Sequence, residues 1–370
     1  MDRITTHPVV DQPPARKEVQ FTFDGVTLSG YEGEALSSTL FANGIKRFSI
    51  HHKGDAPQGI FCANGQCSQC SVIIDGIVRK SCVTGLRAGM DVRTVRGLPE
   101  LVADDGASAP NDIKTIKTEV LVIGGGPSGL SAAAELAERG FDVVVADDKV
   151  DLGGKLVLQT HKFFGSEEDC YAGTRGYEIA KILEAKVRSF PNVRVLANSP
   201  VVAVYKDKKA GVYVNYDSYL LVDFDALVVA AGARERSIIF PGNDLPGVYG
   251  AGAFQTLVNR DLVKAAKKVF VIGSGNVGLI GSYHALQAGI AVAGICEILP
   301  KINGYKVHAD KIVRMGVPVY LGTTVVSVEG KGKVERITIA KVDTEYRPLL
   351  DTAQTFEVDT VLVEIGRAHV

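Results

Sequence analysis

Twice in this chain an apolar run gives way to a six-residue turn of the form GxGxxG, and each time the same sequel follows. Thr118-Glu119-Val120-Leu121-Val122-Ile123 leads into Gly124-Gly125-Gly126-Pro127-Ser128-Gly129, then an alanine-rich stretch over 130–139, then a second apolar run over 141–146 closed by Asp147. Lys268-Val269-Phe270-Val271-Ile272 leads into Gly273-Ser274-Gly275-Asn276-Val277-Gly278, a helical stretch to Gly289 and a strand ending at Glu297. A lone GxGxxG is a weak signal. Strand, glycine turn, helix, strand and terminal acid in that order is the layout of a dinucleotide-binding βαβ unit. The glycines permit a tight turn and let a pyrophosphate approach the backbone at a helix N-terminus. The acid then accepts from a ribose hydroxyl. The candidate nucleotide residues are Gly124, Gly126, Pro127, Ser128, Gly129 and Asp147 in the first copy, and Gly273, Gly275, Asn276, Gly278 and Glu297 in the second. A glycine-rich turn that binds nothing is the competing reading for the first copy.

Two such units about 150 residues apart are the layout of flavoproteins that hold FAD in one domain and a nicotinamide nucleotide in the next. At the second strand end a carboxylate would repel a 2′-phosphate. The residues after Glu297 are Ile298 and Leu299, not an arginine, so NAD(H) is expected over NADP(H). Between the units, residues 224–234, with Gly232 at the turn, read as the strand by which such a chain leaves its FAD domain. Residues 358–366 read as its return.

The third constraint is a cysteine set: Cys62-x4-Cys67-x2-Cys70, with Cys82 following after eleven residues. The first three have the plant-type spacing for a [2Fe–2S] cluster. Small residues fill the loop, as three thiolates pointing at one centre require. Ser71-Val72-Ile73-Ile74 and Ile77-Val78-Arg79-Lys80 flank Asp75-Gly76, a strong hairpin signal that returns Cys82 to Cys70. A zinc site or a disulfide are the alternatives, although a zinc ribbon would repeat the CxxC pair and only one is present. Cys170 and Cys296 are expected to be ordinary thiols.

Around these motifs the chain divides readily. Residues 1–17, with Pro8, Pro13 and Pro14, read as a flexible leader. Over 18–100, a hairpin turning at Asp24-Gly25, a helix from near Glu34 to Asn43-Gly44, the cysteine loop and the second hairpin follow the order of a β-grasp ferredoxin. Residues 101–117 read as a linker, 118–240 as the first part of the FAD domain, 241–353 as the NAD domain and 354–370 as the return to the FAD domain. The expected fold is α/β with an N-terminal α+β domain: a β-grasp [2Fe–2S] domain followed by two Rossmann-like domains, the NAD domain inserted in the FAD domain. A formal net charge of −1 gives no global electrostatic case for nucleic acid or an anionic membrane. The polar start and the lack of an eighteen-residue apolar run predict a cytoplasmic protein without a membrane span.

With both nucleotide motifs, both hinge strands and the cysteine loop, nearly the whole chain resembles the FAD- and cluster-bearing subunits of heteromeric amine and amino-acid oxidoreductases. These include the alpha subunit of heterotetrameric sarcosine oxidase, dye-linked proline dehydrogenase, opine oxidase and hydrogen cyanide synthase, within the glutathione-reductase-like superfamily. The resemblance implies FAD at the first turn, an adenine nucleotide at the second that in some relatives does no chemistry, and a cluster on Cys62, Cys67, Cys70 and Cys82. It implies partners as well: a second flavoprotein or catalytic subunit and an electron acceptor. Lys155 and His161 fall where superfamily members approach the isoalloxazine, and are weak candidates for stabilising a reduced flavin. The segment after Asp147 has no cysteine, which excludes disulfide reduction by an internal dithiol. Ile365-Gly366-Arg367-Ala368-His369-Val370 resembles the in-frame translation of a common sequencing adapter. A truncated gene with an incomplete FAD domain and a non-biological tail is expected. Three functions follow: an enzyme subunit moving electrons between flavin and cluster, a non-catalytic electron-transfer and assembly subunit, or an NADH-dependent reductase of an electron carrier.

Overall fold

The computed structural model describes residues 2–11, 16–98 and 113–369. Its contacts divide the chain into two units, one of residues 103–233 with 369–370, the other of residues 1–102 with 234–368.

In the first of these, four strands run parallel in the order Val193–Leu196, Val143–Ala146, Lys114–Ile123 and Ser218–Val229. Lys209–Val214 and Val201–Val204 extend the sheet antiparallel. Val143–Ala146 is buried throughout, as an inner parallel strand covered on both faces must be. The helix Pro127–Glu138 turns Leu130, Ala133 and Ala134 onto this sheet. Small alanines let helix and sheet approach closely. The first strand starts at Lys114, pairing with Leu220, so the expected linker is overrun by the sheet at its C-terminal end. The rest of that linker, to residue 112, lies outside the described residues.

The other unit joins two sheets through one core. Its N-terminal part pairs Glu18–Phe23 with Val26–Tyr31 across Asp24 and Gly25, both at positive φ. The Asp24 carboxylate accepts from Thr94 N and Oγ1 at 2.8 and 2.6 Å, which ties this hairpin to the strand Asp91–Arg96. The helix Leu36–Ala42 is buried along its whole length. The second part is a parallel sheet ordered Val248–Gly250, Thr360–Val363, Lys268–Ile272, Ala291–Glu297 and Val319–Leu321. A three-stranded antiparallel sheet, Thr323–Glu329, Arg336–Lys341 and Gln354–Glu357, follows it. Phe41 lies edge-on to both Phe48 and the fully buried Tyr249, and one continuous core runs from the cluster-side helix into the nucleotide sheet.

Two expectations are corrected here. Residues 354–370 do not begin a return to the FAD domain. Gln354–Glu357 pairs within the three-stranded sheet, and Thr360–Val363 lies between two strands of the second nucleotide sheet. A short apolar run shows that it is buried but not which sheet buries it. The leader is not loose at its start either. Ile4 is 5% exposed, its N–H donates to Leu262 O, Lys264 N donates to Asp2 O, and Arg3 grips both carboxylate oxygens of Glu34 at 2.7 and 2.9 Å. One isoleucine and one arginine with specific niches outweigh a composition that otherwise reads as coil. Residues 12–15 of the leader lie outside the described residues.

Candidate functional site

The cysteine loop reverses direction through three left-handed positions, Ala63, Gly65 and Ser68, at φ of 50°, 85° and 62°. A Cβ on Gly65 would also meet Val83 at 3.1 Å, so glycine serves there for both shape and space. Cys62, Cys70 and Cys82 are buried and Cys67 is half-buried, and all six cysteines of the chain are free. The hairpin returns the fourth thiol as its sequence predicts. Ser71 pairs with Lys80, and Ser81 donates to Cys70 O through both its N–H (3.1 Å) and its hydroxyl (2.7 Å).

The thiols associate two and two. Cys67 donates to Cys62, whose pKa falls to about 5 mainly for that reason, while the donor is pushed up. Cys82 likewise donates to Cys70, which falls to about 7, and the Gly65 N–H donates to Cys82 Sγ at 3.2 Å. Among the described residues, no three ligating side chains converge on one point as a single ion would require. Four cysteines, three on one loop and the fourth returned beside Cys70 by the hairpin, are the donor type and number that a [2Fe–2S] cluster takes. The donor set fits a [2Fe–2S] cluster.

At the first glycine turn, Gly124 has φ 106°, and a Cβ there would collide with Ala230 O. A Cβ on Gly129 would strike Gly124 O, so helix and turn touch through backbone alone. Gly126 differs: the nearest atom to its Cβ position is Gly154 Cα at 3.8 Å. Protein packing leaves space over Gly126, where a pyrophosphate would lie, and Pro127 opens the helix without wasting a donor. Asp147 accepts from Gly125 N at 2.6 Å and Lys149 N at 2.8 Å, and burial pushes its pKa up. The expected ribose acid thus also fastens the turn. Gly153 at φ 103° donates to Gly125 O at 2.7 Å, placing Gly154 against Gly126. These two glycines complete the cradle and are absent from the sequence-based set. A Gly-Gly pair just after the second strand is the signal that could have found them.

Lys155 lies in the short helix Gly154–Leu158 that leaves this cradle, and His161 stacks on Phe164 with ring centroids 4.5 Å apart. Gly232 sits at φ 75° with open space at its Cβ position.

The second turn repeats the outer glycines. Gly273 is at φ 99°, and Cβ atoms on Gly273 and Gly278 would strike Glu364 O and Gly273 O. Its middle glycine is not free. A Cβ on Gly275 would run into the carboxylate of Glu364, which also accepts from the Gly278 N–H and whose pKa is raised, chiefly by burial. The chain's own anion occupies the anion seat at the N-terminus of the helix Asn276–Gln287. Glu297 is 7% exposed, and its Oε2 accepts from Ser274 N and Oγ at 2.9 and 2.6 Å while Oε1 accepts from Leu299 N at 3.0 Å. Asn276 Oδ1 accepts from Tyr305 N at 2.7 Å and Ser274 O from Gly304 N, so the segment after Glu297 folds back onto the turn.

Two dinucleotide turns and a paired cysteine set in one chain define an iron–sulfur flavoprotein of the two-dinucleotide class. The chain belongs to the pyridine nucleotide-disulphide oxidoreductase family, whose model matches residues 118–369, and a 2Fe-2S iron-sulfur cluster binding domain matches residues 16–97. FAD and a [2Fe–2S] cluster are the cofactors this pairing of domains carries. It is 26% identical over 385 residues to sarcosine oxidase subunit alpha of Corynebacterium sp. (strain P-1), covering 97% of this chain and 39% of that protein. It is 29% identical over 266 residues to hydrogen cyanide synthase subunit HcnB of Pseudomonas aeruginosa, covering 66% of this chain and 56% of the relative. The chain thus spans between about two-fifths and just over half of these relatives. L-proline dehydrogenase from P. horikoshii has the same fold, with a TM-score of 0.70 at 22% identity over 98% of this chain and 63% of that one. Among the described residues, no helix is long and apolar enough to cross a membrane.

Proposed function

We propose that the chain is the iron–sulfur flavoprotein subunit of an amine or amino-acid dehydrogenase or oxidase complex, in which electrons pass between FAD at the first glycine turn and the cluster on Cys62, Cys67, Cys70 and Cys82. One observation carries this reading: a hairpin that returns Cys82 to the cysteine loop, where the Gly65 N–H meets its sulfur, and an unfilled Gly126 position occur together in one chain. When bound, the flavin exchanges electrons in pairs and the cluster singly, which suits a two-electron donor and a one-electron acceptor. The chain's own part is positional. Backbone N–H groups at the helix start hold the pyrophosphate, Asp147 orients the ribose, and the Gly65 N–H stabilises a thiolate at Cys82. Lys155 and His161 are the candidates for compensating charge on a reduced flavin. The relatives are named as subunits, which supports a partner subunit. A second flavoprotein or catalytic subunit and an electron acceptor, in the cytoplasm, complete the reading.

A second reading draws on Glu364. With a carboxylate in the second anion seat, any NAD(H) there is held without serving as hydride donor, and the subunit relays electrons for a partner that oxidises the substrate. Anaerobic titration with NADH, sarcosine or proline, following flavin and cluster absorbance, separates the readings. Bleaching of both chromophores by an amine without the partner subunit supports the first reading, and bleaching by an amine only when the partner is present supports the second. Bleaching by NADH alone makes the chain a carrier reductase and overturns both.

A further inference from the structure

We infer that Lys80 is a positioning residue that sets the reduction potential of the cluster, an inference resting on the cluster assignment above. Lys80 ends the strand Ile77–Lys80 opposite Ser71, one residue beyond Cys70 and two before Cys82. From there its Nζ crosses to the cysteine loop and donates to Gly65 O at 2.7 Å. Gly65 is the residue whose N–H donates to Cys82 Sγ. The ammonium therefore fastens the left-handed turn between Cys62 and Cys67 to the strand that delivers Cys82. It also places a positive charge within one residue of a hydrogen bond to a ligand sulfur. Apart from the ligand cysteines, residues 59–70 carry no ionisable side chain, so the loop contributes no second cation to duplicate this one.

Both effects act in one direction. Reduction adds negative charge to a site ligated by four thiolates. A nearby cation, and a firmly held N–H donor on one sulfur, stabilise the more negative state and raise the potential. Lys80 is half-buried, so its field is only partly screened by solvent. The Lys80 carbonyl accepts from Thr84 Oγ1 at 2.9 Å, which holds the backbone from which the side chain departs.

The test is the cluster's midpoint potential, followed by paramagnetic resonance in the full chain, for the parent and for Lys80→Arg, Lys80→Gln and Lys80→Met. Arginine keeps the charge and a donor and should leave the potential near the parent's. Glutamine keeps a donor without the charge, and methionine keeps neither. Both should make reduction about tenfold less favourable, a fall of about 59 mV for a one-electron couple. The gap between parent and Lys80→Gln should narrow as ionic strength rises. A parent-like potential in Lys80→Gln overturns the inference, as does a gap indifferent to salt. If Lys80→Met fails to load iron, Lys80→Gln carries the measurement. Failure of the cluster assignment itself would show separately, as a parent protein without iron.

Discussion

At both glycine turns the outer glycines are forced by backbone. Gly124 and Gly273 take φ near 100° and press on the chain leaving the neighbouring strand, and Gly129 and Gly278 press back on the turn itself. The turns part company at the middle glycine. Over Gly126 there is room, and the nearby acid Asp147 ties down the turn from the side. Over Gly275 lies the Glu364 carboxylate, which takes the hydrogen bond that a phosphate oxygen would otherwise take. The same motif therefore makes an open cradle in one unit and a filled one in the other. A GxGxxG pattern specifies the turn's shape. Whether an anion can enter is decided by a residue 86 positions further along the chain, a separation no local motif can report.

The comparison is broken most severely at Gly126. A valine there fills the open cradle with a branched side chain while leaving protein contacts undisturbed. Gly126→Val should weaken FAD binding by at least about 100-fold, roughly 2.7 kcal/mol, with little change in the melting temperature of the apoprotein. Full flavin occupancy in the purified variant would show that the pyrophosphate lies elsewhere.

A smaller effect is expected from emptying the other seat. Glu364→Ala should strengthen NAD(H) binding at the second turn about tenfold, since an anion at a helix terminus is worth up to about 2 kcal/mol in a part-buried site. The sign with pH follows from burial. Because Glu364 has a raised pKa, the folded state binds its proton more tightly than the unfolded chain does. The stability from this group is present at low pH and is lost as pH rises through the raised value. Nucleotide binding by the parent should strengthen in the same sense, as pH falls and the carboxylate is neutralised. Calorimetric titrations of parent and variant across pH check this. Equal affinities at every pH would mean that Glu364 does not compete with the nucleotide.

What the sequence made legible here was local. The Asp75-Gly76 hairpin, the strand–turn–helix around each glycine set and the helix stop at Asn43-Gly44 each depend on residues within a few positions. They appear as Ser71–Ile74 with Ile77–Lys80, as the two nucleotide turns, and as a helix ending at Ala42. The misplacements were all long-range. Ile4 belongs to a core shared with Leu262, and Thr360–Val363 belongs to a sheet begun at Val248. Composition and periodicity report that such segments are buried, or that they are polar, but not against what. The nucleotide acids show the same limit within the site. Spacing finds Asp147 and Glu297, yet only the fold reveals that Asp147 accepts from two backbone N–H groups and that Glu297 is satisfied by Ser274 and Leu299.

That last difference sharpens the comparison further. If Glu297 were free to face a ribose, it would discriminate strongly between a 2′-hydroxyl and a 2′-phosphate. Here Oε2 takes two hydrogen bonds from Ser274 and Oε1 takes one from Leu299, leaving one lone-pair direction on Oε1 and none on Oε2 for a ligand. The carboxylate's charge still repels a phosphate, and no arginine follows it to compensate. NAD(H) should therefore bind more tightly than NADP(H), by about 1 kcal/mol or roughly fivefold, less than the ~1.5–3 kcal/mol that a full charge-assisted hydrogen bond supplies. Glu297→Ala should erase that preference. It should also lower the thermal stability of the unit, because the Ser274 N–H and hydroxyl and the Leu299 N–H lose their acceptor. Glu297→Gln separates the two roles: it keeps an acceptor oxygen for the turn while removing the charge, so stability should recover more than nucleotide preference does. A preference that survives in both variants would place the discriminating group elsewhere in the second unit.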